Sequence, residues 1–118
     1  MIAFLNQIAT DAGDYYGDTD NDQIPRDFNL GQNYPNPFNP TTTIAYDLDR
    51  DFEQVSLKIY NILGQEVKTL VNGPQDAGRY EVRWDGTAQD GSRTATGVYF
   101  YRLDTGDNYQ SRKMLLMK

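Results

Sequence analysis

The stretch Gly78–Trp84, GRYEVRW, decides the fold. Tyr80, Val82 and Trp84 alternate with Glu81, Arg83 and Asp85. A period of two puts the large apolar side chains on one face and the charges on the other, which is the pattern of a half-buried strand. Trp84, in phase with Tyr80 and Val82, reads as a core anchor rather than a sugar-stacking platform. Upstream, Ile44, Tyr46 and Leu48 share one face of a first run, and Val55, Leu57 and Ile59 share one face of a second, whose other face holds Ser56, Lys58 and Tyr60. Asn61–Gln65 (NILGQ) supplies a turn around Gly64, and Glu66–Val71 returns as a third strand. Asn72–Gly78 (NGPQDAG) is turn chemistry throughout.

Downstream lies a loop over Asp85–Thr96, where Asp85 and Asp90, each followed by glycine, act as turn formers. The run Gly97–Leu103 (GVYFYRL) is apolar or aromatic on both faces and predicts a central strand. Gly97 would allow a close backbone approach or a positive φ where that strand begins. A last strand is expected over Tyr109–Lys118, with lysines guarding its edge. With a seventh strand in the Leu30–Phe38 region and no sustained helical period, the expectation is an all-β protein, an antiparallel immunoglobulin-like β-sandwich of about seven strands.

Ahead of the first run stands Asn33–Thr42, NYPNPFNPTT, with three prolines and three asparagines between Asn33 and Pro40. Proline lacks an N–H and biases the preceding residue away from helix. The segment therefore predicts an extended, polyproline-like lead-in, a rigid edge whose Tyr34 and Phe38 cover one end of the sandwich while asparagine side chains bond nearby backbone.

The chain has 118 residues, enough for one domain with a usable core plus a tail. It holds neither cysteine nor histidine, which removes Ser-His-Asp and Cys-His nucleophilic sites and the usual zinc and transition-metal sites. Of a net charge of −6, most lies between Asp11 and Asp27, where six aspartates face the single Arg26. No basic stripe remains for nucleic acid. No run is long enough for a membrane span, and Met1–Ile8 (MIAFLNQI) lacks the basic region of a signal peptide. Residues 1–23 read as an acidic flexible linker or the remnant of a preceding module, and the folded domain as residues 24–118. Asp18, Asp20 and Asp22 have the alternate spacing of a calcium-binding loop. Gln23 stands where such a loop wants glycine, so a solvated linker is preferred over calcium, and no cofactor is required.

These residues carry a family signal. Ile24–Thr43 (IPRDFNLGQNYPNPFNPTTT) resembles the opening of the type A, Por-type C-terminal sorting domains of the type IX secretion system. Gly78–Leu103 (GRYEVRWDGTAQDGSRTATGVYFYRL) resembles a pattern shared by those domains and the Ig-like domain of flagellar hook-capping proteins. Lys113–Lys118 (KMLLMK) looks like the K-x-x-L-x-K ending of the sorting domains. Thr96 departs mildly, standing where the family has serine before Gly97.

The resemblance implies a non-enzymatic export address. On it, a preceding cargo protein crosses the inner membrane into the periplasm. An outer-membrane type IX translocon then reads the folded domain, and sortase-like components remove it and leave the cargo on the cell surface or outside the cell. The recognition motif it implies comprises Tyr34, Pro35, Asn36, Pro37, Phe38, Asn39, Pro40, Gly97, Tyr99, Lys113, Leu116 and Lys118. The position of KMLLMK at the end of the chain strengthens that expectation, because a translocon or protease needs a reachable end. The alternative is an accessory adhesion or carbohydrate-binding module of an exported enzyme, with Tyr60 and Tyr109 as candidate sugar-facing aromatics. A structural Ig-like domain acting in assembly is a third reading. The oligomeric state is left open.

Overall fold

A computed structural model describes residues 27–117. Its seven strands are β1 (Phe28–Leu30), β2 (Thr42–Leu48), β3 (Phe52–Tyr60), β4 (Glu66–Gln75), β5 (Gly78–Trp84), β6 (Gly97–Asp104) and β7 (Tyr109–Leu116). They form two antiparallel sheets, one in the order β1-β2-β5 and one in the order β4-β3-β6-β7. No helix among the described residues is long and apolar enough to cross a membrane.

The alternation read from the sequence is what joins the sheets. Ile44, Tyr46 and Leu48 of β2 and Trp84 of β5 point inward from one sheet; Val55, Leu57 and Ile59 of β3 and Tyr99, Tyr101 and Leu103 of β6 point inward from the other. All ten are buried in one continuous core. Placing β6 between β3 and β7 confirms it as a central strand; its outer face carries Val98 and Phe100, followed by Arg102 and Asp104.

Three local expectations are corrected. The third strand does not stop at Val71 but continues to Gln75, pairing Asn72, Gly73 and Gln75 with Ser56, Val55 and Phe52 through irregular register. Gly73 and Pro74 fit there because β4 is an edge strand, where a missing N–H leaves no ladder bond unmade. Asp76 and Ala77 alone make the turn into β5. The seventh strand is Phe28–Leu30, paired with Tyr46–Leu48, and lies ahead of the Leu30–Phe38 region apart from its last residue. The last strand ends at Leu116 rather than Lys118; Lys118 and the acidic segment with Asp18, Asp20 and Asp22 lie outside the described residues.

The core and the turns should respond to mutation very differently. Leu57→Ala removes a side chain with no exposure and should cost about 2–5 kcal/mol in urea unfolding. Leu63→Ala, in the β3–β4 turn and 78% exposed, should change stability by no more than about 0.5 kcal/mol.

Candidate recognition surface

The segment from Gly31 to Thr42 is a closed loop rather than an extended lead-in. Tyr34 and Thr43 exchange two backbone hydrogen bonds of 2.9 Å, so the chain leaves and rejoins the sheet at one point. The Tyr34–Pro35, Asn36–Pro37 and Asn39–Pro40 peptides are cis. Side chains satisfy the backbone groups that cannot join a ladder. Buried Asn33 donates through Nδ2 to the Pro35 carbonyl (3.2 Å) and the Thr42 hydroxyl (2.9 Å), and Thr42 Oγ1 donates to the same carbonyl at 2.9 Å. This is the expected asparagine chemistry, with Thr42 as a partner the alternation alone did not single out.

Tyr101 anchors the loop from below. Its hydroxyl, on a fully buried side chain, donates to the Gly31 carbonyl at 2.7 Å and accepts from the Asn33 N–H at 2.8 Å. Burial pushes this phenol up to about 12, against smaller opposing effects from the Asn33 N–H and the Arg112 charge.

Phe38 holds the loop to the last strand. Its side chain is buried, 5.5 Å from the Trp84 ring, and Trp84 in turn meets Tyr99 edge-on at 5.4 Å. Its backbone bridges to β7: the Phe38 N–H donates to the Leu115 carbonyl and the Met117 N–H to the Phe38 carbonyl, both at 2.9 Å. Two side chains extend the clamp, with Asn36 Oδ1 accepting from the Leu115 N–H at 3.0 Å and Gln32 Nε2 donating to the Lys113 carbonyl at 2.9 Å. From Lys113 onward the outer edge of β7 is therefore covered by the Pro/Asn loop, which shortens the edge left open to pairing.

The sequence motif thus divides in two. Phe38, Tyr99 and Leu116 are buried and position the rest. Pro35, Asn36, Pro37, Asn39, Pro40 and Lys113 are exposed. So is Tyr34, at 80%, which corrects the expectation that it covers the core. Gly97 stands apart at the start of β6 with φ of 142° and open space around it, so positive φ, not close approach, is its requirement. Gly86 does meet a close approach: its φ is 80°, and a Cβ there would lie 3.1 Å from the Pro40 carbonyl oxygen. Asp85 and Asp90 form side-chain turns onto Thr87 and Ser92, as expected.

Beside the clamp opens a cleft of about 270 Å³ lined by Asn39, Pro40, Gly86, Arg93, Thr94, Leu116 and Met117. Its walls combine the exposed Arg93 guanidinium, the Pro40 ring and a methionine at 49% exposure. That mix suits an apolar segment with polar ends rather than bond chemistry. Tyr60 and Tyr109 do not form a shared platform. They pair with Phe100 and Asp104, about 13 Å apart along β6, and the Arg102 guanidinium lies 3.9 Å from the centre of the Tyr109 ring.

Two antiparallel sheets around one apolar core, with a side strand pinned by a loop, define an immunoglobulin-like β-sandwich. The chain belongs to the FlgD Ig-like domain family, whose model matches residues 35–108. No curated protein matches the sequence. Among solved structures it resembles dimeric latent PorU from Porphyromonas gingivalis, with a TM-score of 0.60 and 21% identity over 81% of this chain and 10% of that one. FlgD from P. aeruginosa gives a TM-score of 0.50 and 25% identity over 64% and 58% of the two chains. PorZ, an essential surface component of the type IX secretion system of P. gingivalis, gives 0.51 and 22% over 77% and 11%. The PorU and PorZ likenesses are of fold. The chain spans about a tenth of those two proteins and 58% of FlgD.

Two measurements probe the clamp. Phe38→Ala should destabilise the domain by about 3–5 kcal/mol, whereas Tyr34→Ala, at an exposed site, should stay within about 0.5 kcal/mol in the same unfolding experiment. Tyr101, raised in the folded state, favours folding in full below the ordinary tyrosine pKa near 10, and its contribution is lost as pH rises through about 12. Unfolding free energy should therefore fall over that window by on the order of 2 kcal/mol. Tyr101→Phe should lower stability at neutral pH and flatten this alkaline dependence.

Proposed function

We propose that this domain is a secretion signal of the type IX kind, a C-terminal sorting domain that directs a larger preceding cargo protein through the outer-membrane translocon to the cell surface. It acts by binding and carries out no chemistry itself. The observation that supports this reading is the clamp. Two motifs more than seventy residues apart, NPFNP and KMLL, are joined by backbone hydrogen bonds at Phe38 into one exposed surface. A purely structural Ig-like domain could close the β7 edge without displaying Asn39, Pro40 and Met117 around one cleft.

On this reading the translocon meets a preformed shape whose apolar contacts come from Tyr34, the prolines and Met117. Sortase-like components would act after export on the segment that joins domain to cargo. Bound calcium at Asp18, Asp20 and Asp22 is not required, since the proposed surface is assembled within residues 31–117.

The test is a fusion of the full chain behind a periplasm-targeted reporter, expressed in a host with an active type IX system. Surface display or release is expected, and it should be abolished when Lys113–Lys118 are removed. Because that truncation also dismantles the clamp, the double variant Tyr34→Ser, Met117→Ser provides a folded comparison. It should unfold at nearly the parent's urea midpoint yet reduce display several-fold. Periplasmic retention of the intact fusion would overturn the proposal, as would full display by the truncated one.

A further inference from the structure

Three of the four sheet edges are closed or too short to extend. Loop 32–38 covers β7 from Lys113 to its end, leaving only the four residues 109–112 of that edge, and β1 has only three residues. On β4, Pro74 lacks an N–H, the Gln89 N–H donates to the Val67 carbonyl, and the Gln89 side chain accepts from the Thr69 N–H. β5 differs. It pairs with β2 over seven residues in unbroken register, without bulge or proline, and no described residue bonds the backbone groups on its other side. A cleft of about 480 Å³ opens between β4 and β5, with Leu70 and Trp84 among its walls.

The side chains along β5 indicate which strand could fill that edge. Facing solvent, Arg79, Glu81 and Arg83, continued by Asp85, form a row of alternating sign. Such charges repel an ordinary apolar strand. They are nevertheless complementary to their own reversed copy. In an antiparallel pair with Val82 opposite Val82 of a second copy, Glu81 faces Arg83 and Arg79 faces Asp85, each twice by symmetry. Shifting the register by one pleat either way sets Glu81 against Glu81 or Arg83 against Arg83, and like charges directly opposite are destabilising. On the inner face, Val82 and Tyr80 are only half-buried despite being in phase with buried Trp84. A strand added at this edge would cover both.

We propose that β5 is a self-association edge, through which two copies of this chain join their three-stranded sheets into one continuous six-stranded sheet about a two-fold axis at Val82. The interface is self-complementary, as a two-fold requires. It is also small, so the dimer is weak, dissociating in roughly the micromolar-to-millimolar range, and weakens further with added salt.

Sedimentation equilibrium of the full chain tests this directly. The wild type should move toward dimer mass as concentration rises to about 1 mM. Arg83→Glu, which sets Glu81 against the new carboxylate, should weaken association by roughly tenfold or more. The exchange E81R/R83E restores opposite signs across the axis and should restore association. A wild type that stays monomeric overturns the proposal, and so does an exchange variant no better than Arg83→Glu. Register is read separately by cysteine substitution, since the chain has no cysteine of its own. Val82→Cys would bring two Cα atoms to about 4.5–5.5 Å and oxidise to a disulfide dimer, whereas Arg79→Cys, about 20 Å from its symmetry mate, would not. Equal cross-linking at both positions, or none at Val82→Cys, would show the pairing to be wrong.

Discussion

Phe38 is the point on which the two ends of the described chain depend. Its ring fills the core beside Trp84, and its own N–H and C=O are both used by the last strand. Seating the ring thus fixes the loop's backbone against β7, which β6 already holds along eight residues. The aromatic contact supplies mainly burial, on the order of 2–3 kcal/mol for a fully enclosed phenylalanine. Direction comes from the two hydrogen bonds, which admit only one alignment of Leu115 and Met117 against the loop. Burial without direction would leave the loop free to slide along the strand.

The prolines around Phe38 make sense only with the asparagines between them. A buried backbone carbonyl without a partner is costly, and three prolines remove three N–H groups that might have served. Asn33 and Thr42 both donate to the Pro35 carbonyl, and Asn36 accepts from the Leu115 N–H. Side-chain amides have taken over the backbone's role, which is why the segment can be rigid without being a strand. Tyr101 adds the vertical tie: a hydroxyl rising from the opposite sheet reaches both Gly31 and Asn33.

Strand positions were legible because burial on one face leaves a period of two. Tyr80, Val82 and Trp84 show this, as does GVYFYRL, in which Tyr99, Tyr101 and Leu103 are the buried set. Strand ends were less legible. Gly73 and Pro74 look like breakers, and only the edge position of β4 lets the ladder continue past them. Tyr34 and Phe38 are four residues apart in the same motif, yet one is exposed and the other buried. Nothing local separates them, because the Trp84 ring that receives Phe38 arrives from a strand forty-six residues later. The pairing of Phe38 with Leu116 was equally out of reach, since a parallel bridge outside a strand leaves no periodic trace.

Under the proposed function, the same division lets one short motif serve both the core and a partner. Its buried members answer to the core, and changing any of them would alter shape before it altered contact. Its exposed members, Tyr34 among them, present apolar surface that the core does not use. A partner that reads such a surface gains from finding it already ordered, because the entropy of arranging the loop is lost on folding and not again on binding. The clamp would meet that condition, because its backbone pairing orders the loop while leaving the side chains of Tyr34 and Met117 exposed.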